Sequence, residues 1–449
     1  MLIRHYDFPS ALPEPDTQED SYTFLDIETT GLKRDTTILY LIGCGFHTDG
    51  GFHIIQWFND DGVSEPEMLA ALRDFLASRP SPLFTFNGES FDIPYLNRHY
   101  ELNEMAYRLP EKDSLDLYRA LRPFQALFHL SRGTQKDWEA FLGIDREDPY
   151  RGGQLISFYK KYLRTKDTDL LDLLLLHNME DIRGMEALLP LTACVDLLQH
   201  TFLLENVSLS GELLPDAENP GADADCAALT EKEAADIRHS QYLTADIRHP
   251  QYLTAVCRLR RPLPKPLQVT TAFSDMLPQK TADTAAVERT KTPALQPAPR
   301  RIDRADDFFS LSIAGDRITM RVPVLQGSLK YFYPDYRNYY YLPEEDRAIH
   351  KSVGCYVDSR FREKAKPDTC YVRKEGLFLP VFPEKKYKGI RTGPKTYVDA
   401  LPLYKHSCRE KLSFVELQPL ATGDPEVFNR YLCDLMKEIL IADIHKNAG

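Results

Sequence analysis

The chain lacks the features that mark membrane-spanning and secreted proteins. Its longest leucine-rich stretch, Leu170 to Leu176, is interrupted by Asp172, so no apolar run approaches the roughly 18 residues of a membrane helix. Residues 1–20 contain Arg4 but neither an apolar segment nor a small-residue cleavage site, so we expect no secretory signal. The sequence therefore predicts a protein without a membrane partner.

Cysteine is also scarce. Eight cysteines are spread over 449 residues, and no two of them form a C-x-x-C pair. This spacing argues against a disulfide framework and against a cysteine-rich zinc site. Scattered thiols are typical of a reducing compartment, so we expect a cytoplasmic protein.

Acidic residues outnumber basic residues overall, although not in every part of the chain. The net charge is −12, from 55 basic and 67 acidic residues, which argues against a protein that coats nucleic acid along its whole surface. Residues 1–210 contain 19 basic and 34 acidic residues, whereas residues 351–411 contain 15 basic and 7 acidic ones. An acidic front and a basic back indicate different functions for the two parts.

The front of the chain, residues 21–205, has the pattern of one α/β domain. Strand-like runs cover residues 22–28, 37–46, 52–58 and 82–86. Helical periodicity covers residues 65–78, 90–100, 136–142, 154–164 and 168–189. Three hairpin-linked strands followed by alternating strands and helices predict a mixed sheet flanked by helices.

Composition changes after this domain. Residues 206–305 are rich in Ala, Asp, Thr and Pro, and residues 235–244 are repeated almost unchanged at 245–254. We predict a low-complexity, disordered linker here. Residues 306–449 are expected to form a smaller α+β domain, and residues 1–20 an N-terminal tail.

Two carboxylates at the end of the first predicted strand give the strongest functional signal. In Asp26-Ile27-Glu28-Thr29-Thr30-Gly31-Leu32, Asp26 and Glu28 share one face of the strand because strand side chains alternate. Neighbouring carboxylates repel each other unless a cation binds them, and oxygen ligands favour Mg²⁺ or Mn²⁺. Taken alone, such a pair is more often part of a solvent-exposed edge strand. The apolar strand before it and Thr29-Thr30-Gly31-Leu32 after it make a functional site more favoured.

Two further polar segments follow in the same domain. Asp92 lies in the first turn of a predicted helix, directly after a strand and an Asn87-Gly88 turn. His177 and Asp181 are four residues apart and so share one face of the longest predicted helix. Each has an ordinary explanation in isolation, a helix-dipole contact for Asp92 and a solvated helix face for the other two. Their order along the chain favours a common site.

These three segments resemble the motifs of the DEDD (DnaQ-like) 3′–5′ exonuclease superfamily, whose members have an RNase H-like fold. Within that superfamily the chain resembles the YprB-like branch. The branch is indicated by Asp116 in Ser114-Leu115-Asp116-Leu117, by Leu142-Gly143-Ile144 before Arg146, and by the His-Asn-x-x-Asp form of the third motif. The resemblance covers roughly residues 20–192.

The resemblance implies a catalytic set for phosphodiester hydrolysis at the 3′ end of a nucleic acid. Its members are Asp26, Glu28, Asp92, His177 and Asp181. The four carboxylates would hold two Mg²⁺ or Mn²⁺ ions in a two-metal mechanism. The histidine would be the general base or would position the attacking water.

The third motif departs from the superfamily pattern. Its usual forms are Tyr-x₃-Asp and His-x₄-Asp, whereas this chain has His-x₃-Asp. His177 therefore occupies the usual tyrosine position. It could contact the water there, or it could be a hydrogen-bonding group behind the residues that do.

Contacts to the nucleic acid are predicted for Thr29, Thr30, Leu32, Asn87 and Phe91. Backbone groups near the two threonines would approach a terminal nucleotide, Leu32 would wedge against its base, and Asn87 and Phe91 would contact sugar and base. Turn chemistry explains Thr30 and Asn87 equally well, and core packing explains Phe91.

The back of the chain has a second feature of interest. Residues 331–341 include seven aromatic residues, and lysines and arginines follow. Stacking and phosphate neutralisation would suit single-stranded nucleic acid, whereas an aromatic core under an ordinary basic surface is the alternative.

Two other functions stay open. A non-catalytic nucleic-acid-binding or protein-interaction module could keep the RNase H-like shell, and a structure-specific endonuclease could use the same fold. The metal motifs do not decide between DNA and RNA, because that choice depends on contacts to the 2′-hydroxyl.

Overall fold

A computed structural model describes most of the chain. The described residues are 1–11, 22–48, 51–79, 81–109, 114–150, 152–198, 202–210, 251–277, 308–387, 390–392, 395 and 401–447. The chain divides into two units, residues 1–195 and residues 196–449.

A six-stranded mixed sheet forms the centre of the first unit. Its strands are β1 (Leu2–Phe8), β2 (Thr23–Thr29), β3 (Leu39–Thr48), β4 (Gly51–Phe58), β5 (Leu83–Thr85) and β6 (Ser114–Asp116). They lie side by side in the order β1-β4-β3-β2-β5-β6. The pairs among the first four are antiparallel, while β5 runs parallel to both β2 and β6. The predicted mixed sheet is confirmed.

Eight α-helices are described in or at the end of this unit. They are α1 (Glu65–Ser78), α2 (Asp92–Leu102), α3 (Leu117–Leu121), α4 (Phe124–Leu127), α5 (Gln135–Leu142), α6 (Gly152–Thr165), α7 (Thr168–Ala187) and α8 (Ala193–Leu198). A 3₁₀ turn, Leu189–Thr192, links the last two.

Helices cover both faces of the sheet. On one face, α1 and α2 bury Leu25 and Ile27 of β2. On the other, α6 and α7 pack over Tyr40 of β3 and Phe58 of β4. Side chains alternate along a strand, so burial of Leu25 and Ile27 on the first face directs Asp26 and Glu28 to the opposite face, towards α7.

A glycine on β3 allows α7 to lie close to the sheet. A Cβ atom built on Gly43 would come within 2.1 Å of Asn178 Oδ1 and 2.4 Å of Ile182 Cδ1, both on α7. Real Cβ contacts are not that short, so any other residue would push the helix away. Close packing at this point brings the polar side chains of α7 over β2.

The predicted N-terminal tail is wrong in its first part. Leu2–Phe8 forms β1, which pairs along its whole length with β4, from Leu2 opposite Phe58 to Phe8 opposite Phe52. The sequence does not indicate this strand because most of its side chains are exposed and show no apolar pattern. An edge strand is held by backbone pairing and does not require an apolar face. Residues 12–20 of the predicted tail lie outside the described part of the chain.

An eight-stranded sheet dominates the second unit. Its strands are β7 (Phe202–Ser210), β8 (Gln251–Leu259), β9 (Leu267–Ala272), β10 (Phe308–Ala314), β11 (Arg317–Phe332), β15 (Tyr371–Val381), β18 (Leu403–Lys405) and β19 (Ser413–Glu416). The 16-residue strand β11 pairs with β8 and β10 through its first half and with β15 and β18 through its second. This β-rich unit with a long final helix agrees with the predicted α+β class.

Smaller elements complete the unit. They are α9 (Phe273–Met276), β12 (Tyr339–Leu342), β13 (Arg347–His350), α10 (Lys351–Gly354), β14 (Glu363–Lys364), β16 (Lys386–Tyr387), β17 (Ile390–Arg391), α11 (Leu417–Thr422) and α12 (Pro425–Asn447). Two 3₁₀ turns, Tyr336–Asn338 and Ser359–Phe361, lie in the same region.

The predicted linker is wrong where β8, β9 and α9 occur. Leu253, Ala255, Cys257 and Leu259 alternate along β8 and are all buried. This period of two is a strand signal that the proline-rich composition of the surrounding residues concealed. Residues 211–250, including the first copy of the repeat, and residues 278–307 lie outside the described part of the chain.

The aromatic run of the second unit forms a small core. Tyr333 stacks on Tyr339 with ring centroids 4.5 Å apart, and both pack around the buried Cys370. The seven aromatic residues of the run are all half-buried, so this packing accounts for part of their surface, and a stacking role stays a prediction.

Among the described residues, no helix has both the length and the apolar character that a bilayer crossing needs.

Candidate metal-binding site

The acidic residues of β2 lie where the sequence places them. Asp26 and Glu28 are half-buried and alternate with the buried Leu25 and Ile27. Each is held at one oxygen. Asn178 Nδ2 donates to Asp26 Oδ2 at 2.7 Å, and the Tyr40 hydroxyl donates to Glu28 Oε2 at 3.2 Å.

Asp92 begins α2 beside the same strand. Its side chain is buried, and its Oδ1 accepts a hydrogen bond from the Ile27 backbone N–H at 3.1 Å. Ile27 lies between the two acidic residues of β2, so this bond brings the third carboxylate to the strand end.

The turn before α2 is held by the buried Asp116. Its two carboxylate oxygens accept from the backbone N–H groups of Asn87, at 2.8 Å, and Glu89, at 3.2 Å. Asn87 has a φ of 67°, in the left-handed region that asparagine tolerates better than most residues. Asp116 therefore fixes the loop that delivers Asp92.

His177 and Asp181 extend from α7 towards Glu28. His177 Nε2 lies 3.4 Å from Glu28 Oε1 and 3.5 Å from Asp181 Oδ2. One ligand atom from each of the three residues lies within 4.8 Å of the others. Strand and helix, separated by about 150 residues of sequence, thus meet as predicted.

The carboxylates are in an environment that disfavours their charge. Burial raises the pKa of Asp26 well above its ordinary value, and the charges of Asp181, Asp92 and Glu28 raise it further. Burial likewise raises the pKa of Glu28 to about 7 and that of Asp92 to about 7. A bound cation would remove this penalty, since it favours the ionised form of every group around it.

Asn178 is a site residue to which sequence reasoning assigns no role. It is fully buried, and its side chain also accepts from Gln56 Nε2 at 2.7 Å. Gln56 Nε2 in turn donates to the Leu175 carbonyl of α7 at 2.9 Å. The series of hydrogen bonds from Gln56 through Asn178 fixes Asp26. In the sequence, the one sign of this contact is the position of Asn178 directly after His177.

Arg146 and Glu139 hold Asp181 from the far side. Arg146 Nη1 donates to Asp181 Oδ1 at 2.5 Å, and its other nitrogens pair with the buried Glu139. Gln135 Nε2 donates to the Asp181 carbonyl at 2.7 Å. In the sequence, Arg146 stands out only as part of the branch signature.

Asp148 holds the other ring nitrogen of His177. Asp148 Oδ2 forms a short hydrogen bond with Nδ1 of the histidine, and Lys136 Nζ lies 3.6 Å from the same oxygen. Although burial alone would raise it, the pKa of Asp148 is lowered by this bond to His177. An ionised carboxylate can only accept, so Nδ1 donates to Asp148 and the Nε2 edge of the ring faces Glu28 and Asp181.

The predicted substrate-contact residues lie in mixed environments, at and beyond the end of β2 and in the turn before α2. Leu32 is 82% exposed beyond the end of β2. Thr30 closes the turn there, because its hydroxyl accepts from the Ile38 N–H at 2.8 Å, and the Thr29 hydroxyl donates to the Gly31 carbonyl at 2.8 Å. Phe91 packs against the α1–α2 core with its ring centroid 5.6 Å from that of Tyr95. Contact of any of them with nucleic acid stays a prediction.

The donor set fits a hard divalent cation. It offers carboxylate oxygens and one imidazole nitrogen, which suit Mg²⁺ or Mn²⁺ and, for the nitrogen, other first-row divalent metals. Burial raises the pKa values of Glu28 and Asp92 to about 7, so a bound cation would make both carboxylates more fully ionised near neutral pH.

The first unit has the fold of a known superfamily. One similar solved structure is the family B DNA polymerase from the hyperthermophilic archaeon Pyrobaculum calidifontis, which is 14% identical, covers 44% of this chain and 29% of its own, and superposes with a TM-score of 0.33. The comparison with curated proteins finds no match. Residues 23–192 match the family model of the RNase_H superfamily, and the first unit of this chain therefore contains an RNase H superfamily domain.

Proposed function

We propose that the chain is a metal-dependent 3′–5′ exonuclease of the DEDD type. The observation that carries the proposal is the convergence of three distant segments on one half-buried acidic site. Glu28, His177 and Asp181 meet within 4.8 Å, and the charges of Asp92 and Asp181 raise the pKa of Asp26. Titratable groups perturbed in this way are typical of functional sites.

Each of the four carboxylates is held by the protein through one oxygen. Asn178 holds Asp26, Tyr40 holds Glu28, the Ile27 N–H holds Asp92 and Arg146 holds Asp181. An ion would bind the other oxygen of each. Such anchoring preorganises the ligands, so little side-chain entropy is lost when the cation binds.

The charge balance suits a phosphodiester substrate. Four ionised carboxylates carry −4, which two divalent ions neutralise. The two ions would supply an activated water and would stabilise the leaving 3′-oxygen. His177 Nε2 faces the same place, where it can act on the water either directly or through a bound ion.

The substrate in this proposal is a nucleic-acid 3′ end. The exposed Leu32 would wedge against the terminal base, the turn at Thr29 and Thr30 would approach its sugar, and Asn87 and Phe91 would line the other side. The neutralised site would accept the phosphate that the bare carboxylates would repel.

The test is release of mononucleotides from a 5′-labelled single strand by the full chain in Mn²⁺ or Mg²⁺. The expected result is stepwise shortening from the 3′ end that Asp26→Ala abolishes. Asp7→Ala is the matched control, since Asp7 is an exposed acidic residue of the same sheet, and this variant should keep full activity. Equal activity of the Asp26→Ala variant would defeat the proposal, and cleavage of circular single strands would point to an endonuclease.

One observation favours the non-catalytic alternative. Arg146 occupies Asp181 Oδ1 and gives that carboxylate a permanent counter-charge, which lessens its need for a metal. If the chain is a binding module that keeps the fold, calorimetry should detect no Mn²⁺ binding near neutral pH. Binding of Mn²⁺ that Asp26→Ala removes would exclude this alternative.

A further inference from the structure

We propose that His177 is itself a metal ligand, so that one ion of the site is bound by an imidazole nitrogen together with Glu28 and Asp181. The inference rests on the proposed function only in that both need a metal at this place. It differs from the general-base or water-positioning role that the family resemblance implies for His177, and it names the metals that the site prefers.

The first argument is distance. His177 Nε2 lies 3.4 Å from Glu28 Oε1 and 3.5 Å from Asp181 Oδ2. Both separations exceed the roughly 2.7–3.2 Å of an ordinary N–H···O hydrogen bond. Two ligands about 2.1 Å from one ion, at angles between octahedral and tetrahedral, lie about 3.0–3.5 Å apart. The histidine is therefore placed as a co-ligand of the two carboxylates.

The second argument is the orientation of the ring. Nδ1 pairs with Asp148 Oδ2, so the opposite nitrogen, Nε2, points at the oxygens of Glu28 and Asp181. A carboxylate behind a histidine is the usual arrangement around metal-binding imidazoles, since it fixes the ring and increases its basicity. A cation between Nε2 and the two carboxylate oxygens would bind all three groups at once.

The third argument is burial. The His177 side chain is only 8% exposed, and that of Asp148 is fully buried. Two backbone N–H groups, those of Glu147 and Asp148, donate to the Glu180 carboxylate at 2.7 and 3.0 Å and tie this loop to α7. The imidazole is thus held from behind by a built scaffold, and only its Nε2 edge is directed to the carboxylates.

A nitrogen ligand changes which metal the site selects. Mg²⁺ prefers oxygen ligands and keeps much of its water, whereas imidazole suits Mn²⁺, Co²⁺ and Zn²⁺ progressively better. We therefore expect this ion site to bind Mn²⁺ and Co²⁺ more tightly than Mg²⁺, and His177 to be the reason.

The experiment is pulsed EPR on the full chain loaded with Mn²⁺ and without any nucleic acid. A coordinated imidazole gives ¹⁴N modulation, which changes to the ¹⁵N pattern when the histidines are labelled with ¹⁵N. The expected signal is lost in His177→Gln and is kept in His99→Gln, the matched control, because His99 is a buried histidine of the same unit paired with Glu65. Mn²⁺ bound with oxygen coupling alone would overturn the proposal.

Affinities give a second readout. His177→Gln should weaken Mn²⁺ binding by about 10–100-fold and Mg²⁺ binding by less than about 3-fold, and Asp148→Asn should weaken Mn²⁺ binding by about 10-fold or more while the nitrogen signal stays. Equal losses for Mn²⁺ and Mg²⁺ in His177→Gln would contradict a ligand role. The wild-type spectrum tests imidazole coordination without any variant. If His177→Gln misfolds, Asp148→Asn still tests the assignment to His177, because Asp148 pairs with the ring of that histidine.

The outcome separates this inference from the proposed function. Nitrogen coupling in a protein that degrades no nucleic acid would sustain the ligand assignment and defeat the exonuclease. Degradation of a 3′ end by a protein whose Mn²⁺ shows no nitrogen coupling would sustain the exonuclease and defeat the ligand assignment. Failure to bind Mn²⁺ at all would defeat both.

Discussion

Each unit of the chain buries a cluster of carboxylates, and the two clusters are neutralised differently. In the second unit, Asp434 and Glu438 of α12 are buried, with Lys395 Nζ 3.2 and 3.7 Å from their oxygens and Lys385 Nζ 3.3 Å from Glu438. Burial raises the pKa of Glu438, but both lysines lower it. This cluster contains its own counter-charges.

The first unit has the opposite arrangement. There, burial and the charges of Asp181, Asp92 and Glu28 raise the pKa of Asp26, and two neutral donors, Asn178 and Tyr40, hold Asp26 and Glu28 without neutralising them. Arg146 gives Asp181 a counter-charge, so the contrast with the second unit concerns Asp26, Glu28 and Asp92. A buried charge that is compensated within the protein stabilises or specifies the fold. A buried charge left without such compensation is available to an external cation, so the comparison supports the proposal that the first cluster binds a metal and that the second is structural.

The largest expected effect comes from a change in the first cluster. Asp92→Asn keeps the acceptor for the Ile27 N–H but removes one negative charge from the site. We expect nuclease activity to fall by about 10³-fold or more, because charge stabilisation at the reacting phosphate is lost. Without metal, the free energy of unfolding should stay equal or rise by about 1 kcal/mol, because repulsion is relieved.

Both tryptophans, Trp57 and Trp138, lie in the first unit, so their fluorescence during urea unfolding measures this stability separately. A loss of metal-free stability above about 2 kcal/mol would place Asp92 among the structural carboxylates and break the comparison.

The second cluster should respond in the opposite way. Lys395→Met leaves Asp434 and Glu438 with one counter-charge fewer in a buried place, and we expect a loss of about 3 kcal/mol in the stability of the second unit. Hydrogen exchange of the α12 amides measures it. Lys374→Met is the control, because the Lys374 side chain is 47% exposed in its pair with Glu416, and its loss should be under about 1 kcal/mol. Equal losses for the two variants would show that burial of an ion pair does not increase its contribution to stability. The structural role assigned to the second cluster would then lose its support.

The first cluster shows which features of a site can be predicted from the sequence. Alternation on β2 and the four-residue spacing on α7 are local rules, so the amino-acid sequence alone assigns Asp26, Glu28, His177 and Asp181 to their faces. The convergence of those faces follows from a resemblance to a family, since no local rule brings a strand and a helix together.

The supporting residues cannot be found in that way. Asn178 reaches Asp26 only because Gly43 lets α7 approach the sheet, and Asp148 reaches His177 from a loop. Such contacts depend on tertiary packing, which has no period in the sequence. The edge strand β1 escapes prediction because its side chains are largely exposed, and β8 because its neighbours in sequence are rich in proline.

A third prediction uses pH to distinguish neutralisation of the first cluster by protons from its neutralisation by a metal ion. The folded-state pKa values of Glu28 and Asp92, both raised to about 7, exceed those of the unfolded chain, so the folded protein holds protons that the unfolded chain has released. Metal-free stability of the first unit should therefore fall as pH rises from about 4.5 to about 7, by on the order of 2 kcal/mol, and then level off.

Saturating Mn²⁺ should flatten this slope, because the ion takes the place of the protons. Urea unfolding followed by tryptophan fluorescence at several pH values, with EDTA or with Mn²⁺, makes the measurement. Stability that rises with pH in EDTA would contradict the raised pKa values and, with them, the view that the first cluster lacks compensation.

The smallest effect concerns the neutral donors of the first cluster. Tyr40→Phe removes the hydroxyl that donates to Glu28 Oε2 and keeps the ring that stacks on Tyr159 at 4.4 Å. We expect a loss of about 1 kcal/mol in stability and a loss of a few-fold in Mn²⁺ affinity, because the hydrogen bond orients Glu28 and favours its ionised form. Tyr159→Phe is the matched control. Its hydroxyl donates to the Asn59 carbonyl at 2.8 Å, so it should cost similar stability and leave Mn²⁺ affinity unchanged. If both variants weakened Mn²⁺ binding equally, the affinity would depend on general packing, and the neutral donors would have no separate part in holding the carboxylates for a cation.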